Sequence, residues 1–328
     1  MEGLRNLILE NSTVLGYALA IQVILSLLLL LIVFNYPVVI YRLYQRYIIF
    51  KAGFQKKKLK VSDNFEFEYI ERGNAKDHAI SLLLVHGFTS SKENWCLMAS
   101  FIPKRIHIVA LDLPGHGGTT RKLKDDVSVP GFAKRVEQFA NAVGLNKKKY
   151  HVVGTSLGGF IAGVHAAMFP KNLASVMLVC PAGFNSPVAS QMVKAYEKEN
   201  KIQLLPKNNE EFVAMINMLV HKPVKFPDII VSGLMQARLQ AQDFYVKVFE
   251  GLINENERYL LQEKLPDIKT KTMIVWGKHD KALDVSATEV IRDIHPESQI
   301  EILDDCGHSI ALERPRKLAT LITRFLED

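Results

Sequence analysis

The sequence predicts an α/β fold with a mostly parallel sheet, helices on both faces of the sheet and one apolar helix near the N-terminus. Short apolar runs alternate with amphipathic stretches from about residue 65 onward, which is the order typical of parallel sheets. One interval, residues 184–266, contains amphipathic segments but no buried strand pattern. A long uncharged run precedes the whole region.

Seven segments are predicted as strands. The first, residues 65–72, alternates polar and apolar residues, as expected of a half-exposed strand. The others are continuous apolar runs typical of buried parallel strands: residues 80–87, 106–115, 151–156, 175–180, 272–277 and 300–303. Helices are predicted at residues 95–101, 132–143, 157–168, 285–294 and 316–325. Residues 184–266 are predicted to form a helical lid over the C-terminal ends of the strands.

The uncharged run covers residues 14–34, and as a helix it would be about 31 Å long, matching the hydrocarbon core of a bilayer. We predict a retained transmembrane helix rather than a signal peptide, because the run is long and has no small-residue cleavage site. The predicted organisation is a short non-cytosolic N-terminus (1–13), the signal-anchor helix (14–34), a basic juxtamembrane segment (35–62) and the α/β domain (63–328).

The net charge of +7 is concentrated in residues 42–60, which hold seven basic residues and no acidic one. The rest of the chain is balanced and has no nucleic-acid-binding motif, so no nucleic-acid partner is predicted. The basic flank predicts a single-pass type II protein with its α/β domain in the cytosol. The organelle stays open between the endoplasmic reticulum, plasma membrane and late endosome or lysosome. The chain has an odd number of cysteines, which argues against a disulfide framework and agrees with a reducing compartment. They are Cys96, Cys180 and Cys306.

The stretch HVVGTSLGGF, residues 151–160, places Ser156 between Gly154 and Gly158. A serine in a sharp strand-to-helix turn has strained backbone geometry, and its neighbours two residues away must be small for the strand and helix to approach. A glycine-rich turn with a merely capping serine is the alternative. The apolar strand before Ser156 and the helical stretch after it favour a nucleophile.

A serine nucleophile needs a histidine base and an acid that orients the histidine. His308 follows the last predicted strand and lies at the same sheet edge as Ser156, where active sites of α/β sheets are found. His86 and His116, in glycine-rich loops, are the competing bases. Asp280 directly follows the strand 272–277 and is the predicted acid, while Asp284 is the alternative, with a helix N-cap as its simpler role.

An oxyanion hole requires two N–H groups near the nucleophile. The N–H of Leu157, directly after Ser156 at the start of a helix, is the first candidate. The second is the N–H of Phe88, with Gly87 shaping its turn. No metal or cofactor is predicted, because the histidines lack ligand spacing and the glycines lack a dinucleotide fingerprint.

Six segments together resemble the α/β-hydrolase superfamily from about residue 65 to the end: LLLVHGF, ALDLPGHG, VVGTSLGG, LVCPAG, MIVWGKHD and CGHSIALERP. With the anchor and the segments GLMQARLQAQDFYVKVF and GKHDKALDVSA, the chain resembles the single-pass, membrane-anchored monoacylglycerol lipases. The resemblance implies a triad of Ser156, Asp280 and His308, with Phe88 and Leu157 as oxyanion donors. It also implies hydrolysis of monoacylglycerols, including endocannabinoid-type esters, to fatty acid and glycerol through an acyl-enzyme.

Other functions stay open beside this one. A lysophospholipase or another lipid esterase would use the same residues, and carbon–carbon bond hydrolases have the same serine and loops. A catalytically silent, membrane-tethered binding module is disfavoured by the complete triad. Ser156 argues against epoxide hydrolases and dehalogenases, which have an aspartate at this turn. The expected partners are a lipid substrate and the bilayer, and no oligomeric state is predicted.

Overall fold

The computed structural model describes residues 2–199 and 202–328, except for the side chains of residues 2–10, 12, 33 and 34. Its centre is an eight-stranded sheet with the order β1-β2-β4-β3-β5-β6-β7-β8. Strand β2 is antiparallel to β1 and β4, and the other neighbours are parallel. The strands are β1 (Gln55–Ser62), β2 (Phe65–Arg72), β3 (Ile80–Val85), β4 (Ile106–Leu111), β5 (Tyr150–Thr155), β6 (Leu173–Val179), β7 (Lys271–Gly277) and β8 (Gln299–Leu303).

Several predicted strands end earlier in the structure than in the sequence analysis. Strand β3 ends at Val85 rather than at residue 87, and β4 ends at Leu111 rather than at residue 115. The residues that follow these strands belong to loops at the C-terminal edge of the sheet, which the apolar pattern alone does not separate from the strands. That edge therefore carries more irregular backbone than predicted, and the candidate site residues lie on it.

Strand β1 was not predicted, because its sequence QKKKLKVS was assigned to the basic juxtamembrane segment. In the structure, its lysines pair with acidic residues of the neighbouring strand β2 at Nζ–Oε distances of 2.5–2.9 Å. Lysine is favoured on edge strands because its charge discourages pairing with another chain. The boundary proposed at residue 62 is therefore corrected, since the sheet begins at Gln55.

The helices that flank the sheet bury their apolar faces against it. Helix α5 matches the predicted range 157–168. The predicted helix 95–101 is reduced to the single-turn helix α3, which directly follows a 3-10 turn at Lys92–Trp95. The flanking helices are α3 (Cys96–Ala99), α4 (Val129–Val143), α5 (Leu157–Met168), α11 (Ala287–Ile294), α12 (Ile310–Glu313) and α13 (Pro315–Glu327).

The predicted lid is helical in the structure, and its described residues, 184–199 and 202–266, contain no strand. A small apolar cluster of its own, which includes Phe212, Met215, Val231 and Met235, joins two of its helices. The lid helices are α6 (Gln191–Glu199), α7 (Asn209–Leu219), α8 (Asp228–Leu239), α9 (Gln242–Ile253) and α10 (Leu260–Lys264).

Two helices precede the sheet, α1 (Glu2–Asn35) and α2 (Pro37–Lys51). Within α1, Thr13–Ile32 is long and apolar enough to cross a membrane, with a mean hydropathy of 2.5 and no burial against the rest of the protein. The helix begins at Glu2, so the predicted short N-terminus is part of α1. These properties suggest membrane anchoring.

Helix α2 packs against lid helix α8 at very close range. A Cβ atom added at Gly233 of α8 would lie 2.2 Å from the carbonyl oxygen of Pro37 and 2.6 Å from the Cβ of Tyr41. Only glycine permits this backbone approach. The opposite face of α2 leaves large apolar and aromatic side chains exposed, namely Leu43, Tyr47 and Phe50. Helix α2 thus joins the apolar helix to the lid.

Candidate active site

Ser156 lies in the sharp turn between β5 and α5. Its backbone has φ 56° and ψ −121°, a region that non-glycine residues rarely adopt. Hydrogen bonds hold this conformation: the Ser156 N–H donates to the carbonyl of Val179, and its carbonyl accepts from the N–H groups of Phe160 and Ala182. The turn therefore stores strain at the serine that the sequence analysis singled out.

Gly154 and Gly158 make this turn possible, because strand and helix touch there through their backbones. A Cβ atom at Gly154 would lie 2.0 Å from the carbonyl oxygen of Gly158. A Cβ atom at Gly158 would lie 2.3 Å from the carbonyl oxygens of Val85 and His86. Side chains at either position would push the turn away from the sheet.

The loop after β3 passes directly beside Ser156. A Cβ atom at Gly87 would lie 3.2 Å from the Ser156 Cβ and 3.8 Å from its Oγ. Phe88 follows in this loop, and its ring contacts the lid residues Tyr245 and Phe249 at centroid distances of 6.0 and 6.3 Å. Phe88 and Ser156 line the same cavity.

Asp280 and His308 form a buried hydrogen-bonded pair. The Nδ1 of His308 lies 2.7 Å from Oδ2 of Asp280. The other carboxylate oxygen of Asp280 accepts from the N–H groups of Ala282 and Leu283 at 2.8 and 2.9 Å. Because both oxygens are engaged, the carboxylate has a fixed orientation toward the imidazole.

The loop that carries His308 is attached to the lid and to α12. The N–H of Ser309 donates to the carbonyl of Leu219, the last residue of α7. The N–H of Gly307 donates to the Glu313 carboxylate, whose other oxygen accepts from the N–H of His221 in the lid. The position of the histidine thus depends on the lid as well as on the sheet.

The competing histidines, His86 and His116, are fully buried and bonded to the backbone. The Nε2 of His86 accepts from the N–H of Leu113, so its Nδ1 donates to the carbonyl of Gly87. Burial lowers the pKa of His86 to about 4. His116 Nδ1 lies 3.0 Å from the carbonyl oxygen of Pro114, and burial lowers its pKa well below the ordinary value. Both imidazoles are neutral parts of the loop structure.

Asp284, the alternative acid, accepts a hydrogen bond from the N–H of Ser286 at 2.9 Å. This contact closes the turn that leads into α11. The N-cap residue of α11 is Ser286, so the N-cap role considered for Asp284 is not found. Of the two aspartates, Asp280 is the one that the structure pairs with His308.

Lys92 was not predicted as a buried residue, although it lies at the end of the loop after β3 and is only 2% exposed. Its Nζ lies within 2.9 Å of carboxylates of Glu68, Glu93 and Asp112, and its N–H donates to Asp112. Burial lowers the pKa of Lys92, but these three carboxylates together raise it above its ordinary value. Through these ion pairs, Lys92 connects the end of the loop after β3, which contains Phe88, to β2 and to the loop after β4.

Two further strained residues lie at the same sheet edge, Thr89 after β3 (φ 54°) and Cys180 after β6 (φ 42°). The donor atoms of Cys180, Asp280 and His308 lie within 4.8 Å of one another, a spacing compatible with a metal ligand set. However, burial raises the pKa of the Cys180 thiol well above its usual range, and Asp280 is already bonded to His308. This arrangement favours the hydrogen-bonded pair of Asp280 and His308 over a metal ligand set.

One cavity of about 1070 Å³ connects these residues with the lid and with α2. Ser156, Leu157, Phe88 and His308 all line it. Its other walls are mainly apolar or aromatic, with residues from α2 and the lid: Tyr41, Ile48, Ile49, Phe212, Met215, Leu219 and Leu234. The volume is at the upper end of the range of about 300–1,000 Å³ typical of small-molecule sites.

The family profile described as the alpha/beta hydrolase fold matches residues 80–315 of the chain. The chain belongs to the α/β-hydrolase family. Monoacylglycerol lipase ABHD6 of Mus musculus is 40% identical over 297 residues, covering 89% of this chain and 88% of the mouse protein. The Homo sapiens protein of the same name is 39% identical over the same shares of both chains.

Among solved structures, a bacterial membrane phospholipase A superposes on this α/β-hydrolase with a TM-score of 0.84 and 30% identity. The match covers 95% of this chain and 98% of the phospholipase. These comparisons confirm the predicted α/β-hydrolase fold and the prediction of a carboxylic-ester hydrolase.

Proposed function

We propose that this α/β-hydrolase cleaves the ester bond of monoacylglycerols through an acyl-enzyme on Ser156. The observation that carries the proposal is the strained Ser156 in one apolar cavity with His308, whose imidazole is held by Asp280. The relatives named monoacylglycerol lipase, at about 40% identity, support this choice of substrate.

In the proposed reaction, the Oγ of Ser156 attacks the ester carbonyl while Nε2 of His308 takes the hydroxyl proton. The same nitrogen then gives this proton to the glycerol oxygen, so that glycerol leaves and the acyl group stays on Ser156. Water, deprotonated by His308, releases the fatty acid and restores the serine. Asp280 keeps Nδ1 protonated and stabilises the imidazolium, which the 2.7 Å contact supports.

The tetrahedral oxyanion would accept from the N–H groups of Leu157 and Phe88. Leu157 is the first residue of α5, where N–H groups have no partner within the helix and the helix dipole favours negative charge. The loop after β3 lies beside the serine at Gly87, where an added Cβ atom would lie 3.2 Å from the Ser156 Cβ, and this supports the role of Phe88. Loss of one such donor typically reduces kcat by about 10²–10³.

The cavity also supports a lipid substrate that enters from the membrane. Helix α2 forms part of its wall and follows the apolar helix α1 after a single residue, Tyr36. The exposed apolar face of α2 would lie in the interfacial layer of a bilayer, as amphipathic helices of this composition do. A fragment without residues 1–54 would lack this wall, so experiments on specificity need the full chain.

We expect the full chain in neutral detergent to hydrolyse a 2-acylglycerol at least tenfold faster, in kcat/KM, than the triacylglycerol with the same acyl group. A single cavity roofed by lid helices accommodates one acyl chain at the serine more readily than three. The assay measures released fatty acid for monoacyl-, diacyl- and triacylglycerols. A vinylogous diketone, the type of substrate that carbon–carbon bond hydrolases cleave, is tested in parallel by its disappearance. Faster cleavage of triacylglycerol, or cleavage of the diketone in preference to every ester, would contradict the proposal.

We also propose that the α/β-hydrolase domain faces the cytosol, as in a type II protein. Three basic residues follow the apolar helix within twenty residues, namely Arg42, Arg46 and Lys51, and the positive-inside rule applies to this region. In sealed microsomes with the cytosolic face outward, protease should digest a tag placed after Asp328 without detergent. A luminal protein serves as the protected control. A tag that is digested only after detergent is added would reverse the topology.

A further inference from the structure

One segment of the lid, residues 219–222, lies against the two loops that carry the proposed acid and base, and we call it the lid contact segment. It comprises the end of α7 and the start of the loop that follows. The N–H of Ser309, one residue after the proposed base, donates to the carbonyl of Leu219 at 2.8 Å. The imidazole of His221 stacks on that of His279, one residue before the proposed acid, at a ring-centroid distance of 4.0 Å and an interplanar angle of 13°. One short piece of the lid thus contacts a direct neighbour of each residue.

The carboxylate of Glu313, the last residue of α12, joins the lid contact segment to the loop before His308. One of its oxygens accepts from the N–H groups of His221 and Lys222 at 2.8 and 3.2 Å. The other oxygen accepts from the N–H of Gly307 at 2.7 Å. Hydrogen bonds from backbone N–H groups to a carboxylate are about twice as strong as those between neutral groups. A single side chain therefore bridges the lid and the loop of the proposed base.

Close packing at Gly307 makes this connection stiff. A Cβ atom added at Gly307 would lie 2.7 Å from the backbone nitrogen of His221 and 2.8 Å from the carbonyl carbon of Val220. The lid backbone thus rests directly on the residue before His308. Because protein interiors are close-packed, a shift of the lid contact segment would move the backbone at Gly307 with it.

Glu313 itself does not line the cavity, although the four residues before it do. It is therefore not placed to contact an ester bound in the cavity, and it can affect the reaction only through the residues that it holds. The position of those residues matters, because a base must lie within about 2.6–3.2 Å of the atom whose proton it takes. A misplacement of about 1 Å can lower the rate on the order of 10²-fold.

We propose that Glu313 is a positioning residue that makes the placement of the His308 imidazole depend on the lid. With the lid contact segment in place, the Glu313 carboxylate holds Gly307, and the imidazole keeps its bond to Asp280. When the segment shifts, the same carboxylate carries the shift to His308, so the base is correctly placed only while the lid covers the cavity. The inference rests on the proposed ester hydrolysis and adds to it the means by which the lid controls the base.

The experiment measures kcat and KM of the full chain in neutral detergent for two esters, 2-oleoylglycerol and the short, soluble p-nitrophenyl butyrate. Glu313→Gln keeps the size of the side chain, but its NH2 group would face one of the two sets of N–H donors and break the bridge. We expect kcat to fall about tenfold to a hundredfold for both esters, the range for loss of a charge-assisted hydrogen bond. The KM for the butyrate should change less than about threefold, since no residue of the cavity wall is altered. Glu313→Asp restores the charge and should recover part of the loss.

A variant in the lid tests the coupling from the other side. His221→Pro removes one N–H that the carboxylate accepts and leaves Glu313 unchanged. The preceding residue, Val220, already has the extended backbone that a following proline requires, with φ −118° and ψ 152°. We expect kcat for the butyrate to fall about threefold to tenfold, less than in Glu313→Gln because the N–H of Lys222 remains. The rate of fluorophosphonate labelling of Ser156 should fall in parallel in both variants, because it needs the same base.

Glu257→Gln is the matched control, because Glu257 also joins the lid to the rest of the domain by accepting a backbone N–H, that of Val129 in α4 at 3.1 Å. Helix α4 carries none of the proposed catalytic residues, so kcat for both esters should stay near the wild-type value. Thermal unfolding of each variant identifies any that do not fold. If Glu313→Gln does not fold, His221→Pro decides the result.

An unchanged kcat for the butyrate in Glu313→Gln and His221→Pro, with only the KM for 2-oleoylglycerol raised, would mean that the carboxylate merely supports the lid and would overturn the proposal. An equal loss of kcat in Glu257→Gln would overturn it as well, because any weakening of the lid would then have the same effect. A wild type that hydrolyses the butyrate but no monoacylglycerol would instead refute the proposed function, and the fall in kcat of the two variants would still support the coupling.

Discussion

Replacement of Ser156 by alanine is expected to reduce ester hydrolysis by roughly a millionfold and to abolish labelling by a fluorophosphonate probe. The proposed mechanism makes the Oγ of Ser156 the atom that forms the acyl-enzyme, and losses of this size are typical when the nucleophile of a triad is removed. Hydrolysis of a monoacylglycerol and probe labelling of the full chain, both in neutral detergent, test this expectation.

Ser186 provides a matched control for the nucleophile. It is a serine that lines the same cavity, but it lies in the lid rather than in the turn after β5. Ser186→Ala should keep both labelling and turnover near the wild-type level. Labelling that persists in Ser156→Ala and disappears in Ser186→Ala would assign the nucleophile to the lid and refute the proposed role of Ser156.

The sequence predicted the central strands because parallel strands buried on both faces are continuous apolar runs. The edge strand β1 lacks this signal, since only Leu59 and Val61 are apolar among its eight residues. Its stability depends on cross-strand ion pairs with β2, and such pairs depend on which strands become neighbours. A single sequence does not reveal that pairing.

The proposed triad could be anticipated because each residue follows a recognisable strand at one edge of the sheet. The turn at Ser156 adds a local requirement for glycine, which the sequence displays at Gly154 and Gly158. Lys92 gave no such signal, because a lysine in a polar loop is expected to be exposed. Its burial results from three carboxylates that different segments bring together.

The lid was predicted as a helical region over an apolar pocket, but the residues that line this pocket were not predicted. The volume and lining of a cavity depend on how separate helices pack, and here one wall comes from α2, far away in the sequence. The burial of Arg238 could not be predicted either, because an arginine near the end of an amphipathic helix is normally solvent-exposed. Only the packing of α8 against α2 and the rest of the lid shows that it is buried.

Asp280→Asn is expected to reduce kcat by about 10⁴-fold while leaving the fold intact. An asparagine can keep a hydrogen bond to the imidazole, but it favours the wrong tautomer and does not stabilise the imidazolium. In the structure, Asp280 accepts from Nδ1 of His308 and from two backbone N–H groups. Its charge is therefore the property that the substitution removes.

Asp284→Asn is the matched control, since it removes a charge four residues away from Asp280, at a residue that lines the cavity. Its carboxylate accepts from the N–H of Ser286, a bond that the asparagine oxygen can also accept, so turnover should stay within about threefold. The double variant Asp280→Asn with His308→Ala should be little worse than His308→Ala alone, because the members of a triad act as one unit. A greater loss in Asp284→Asn than in Asp280→Asn would move the acid to residue 284, and additive losses in the double variant would mean that Asp280 acts independently of His308.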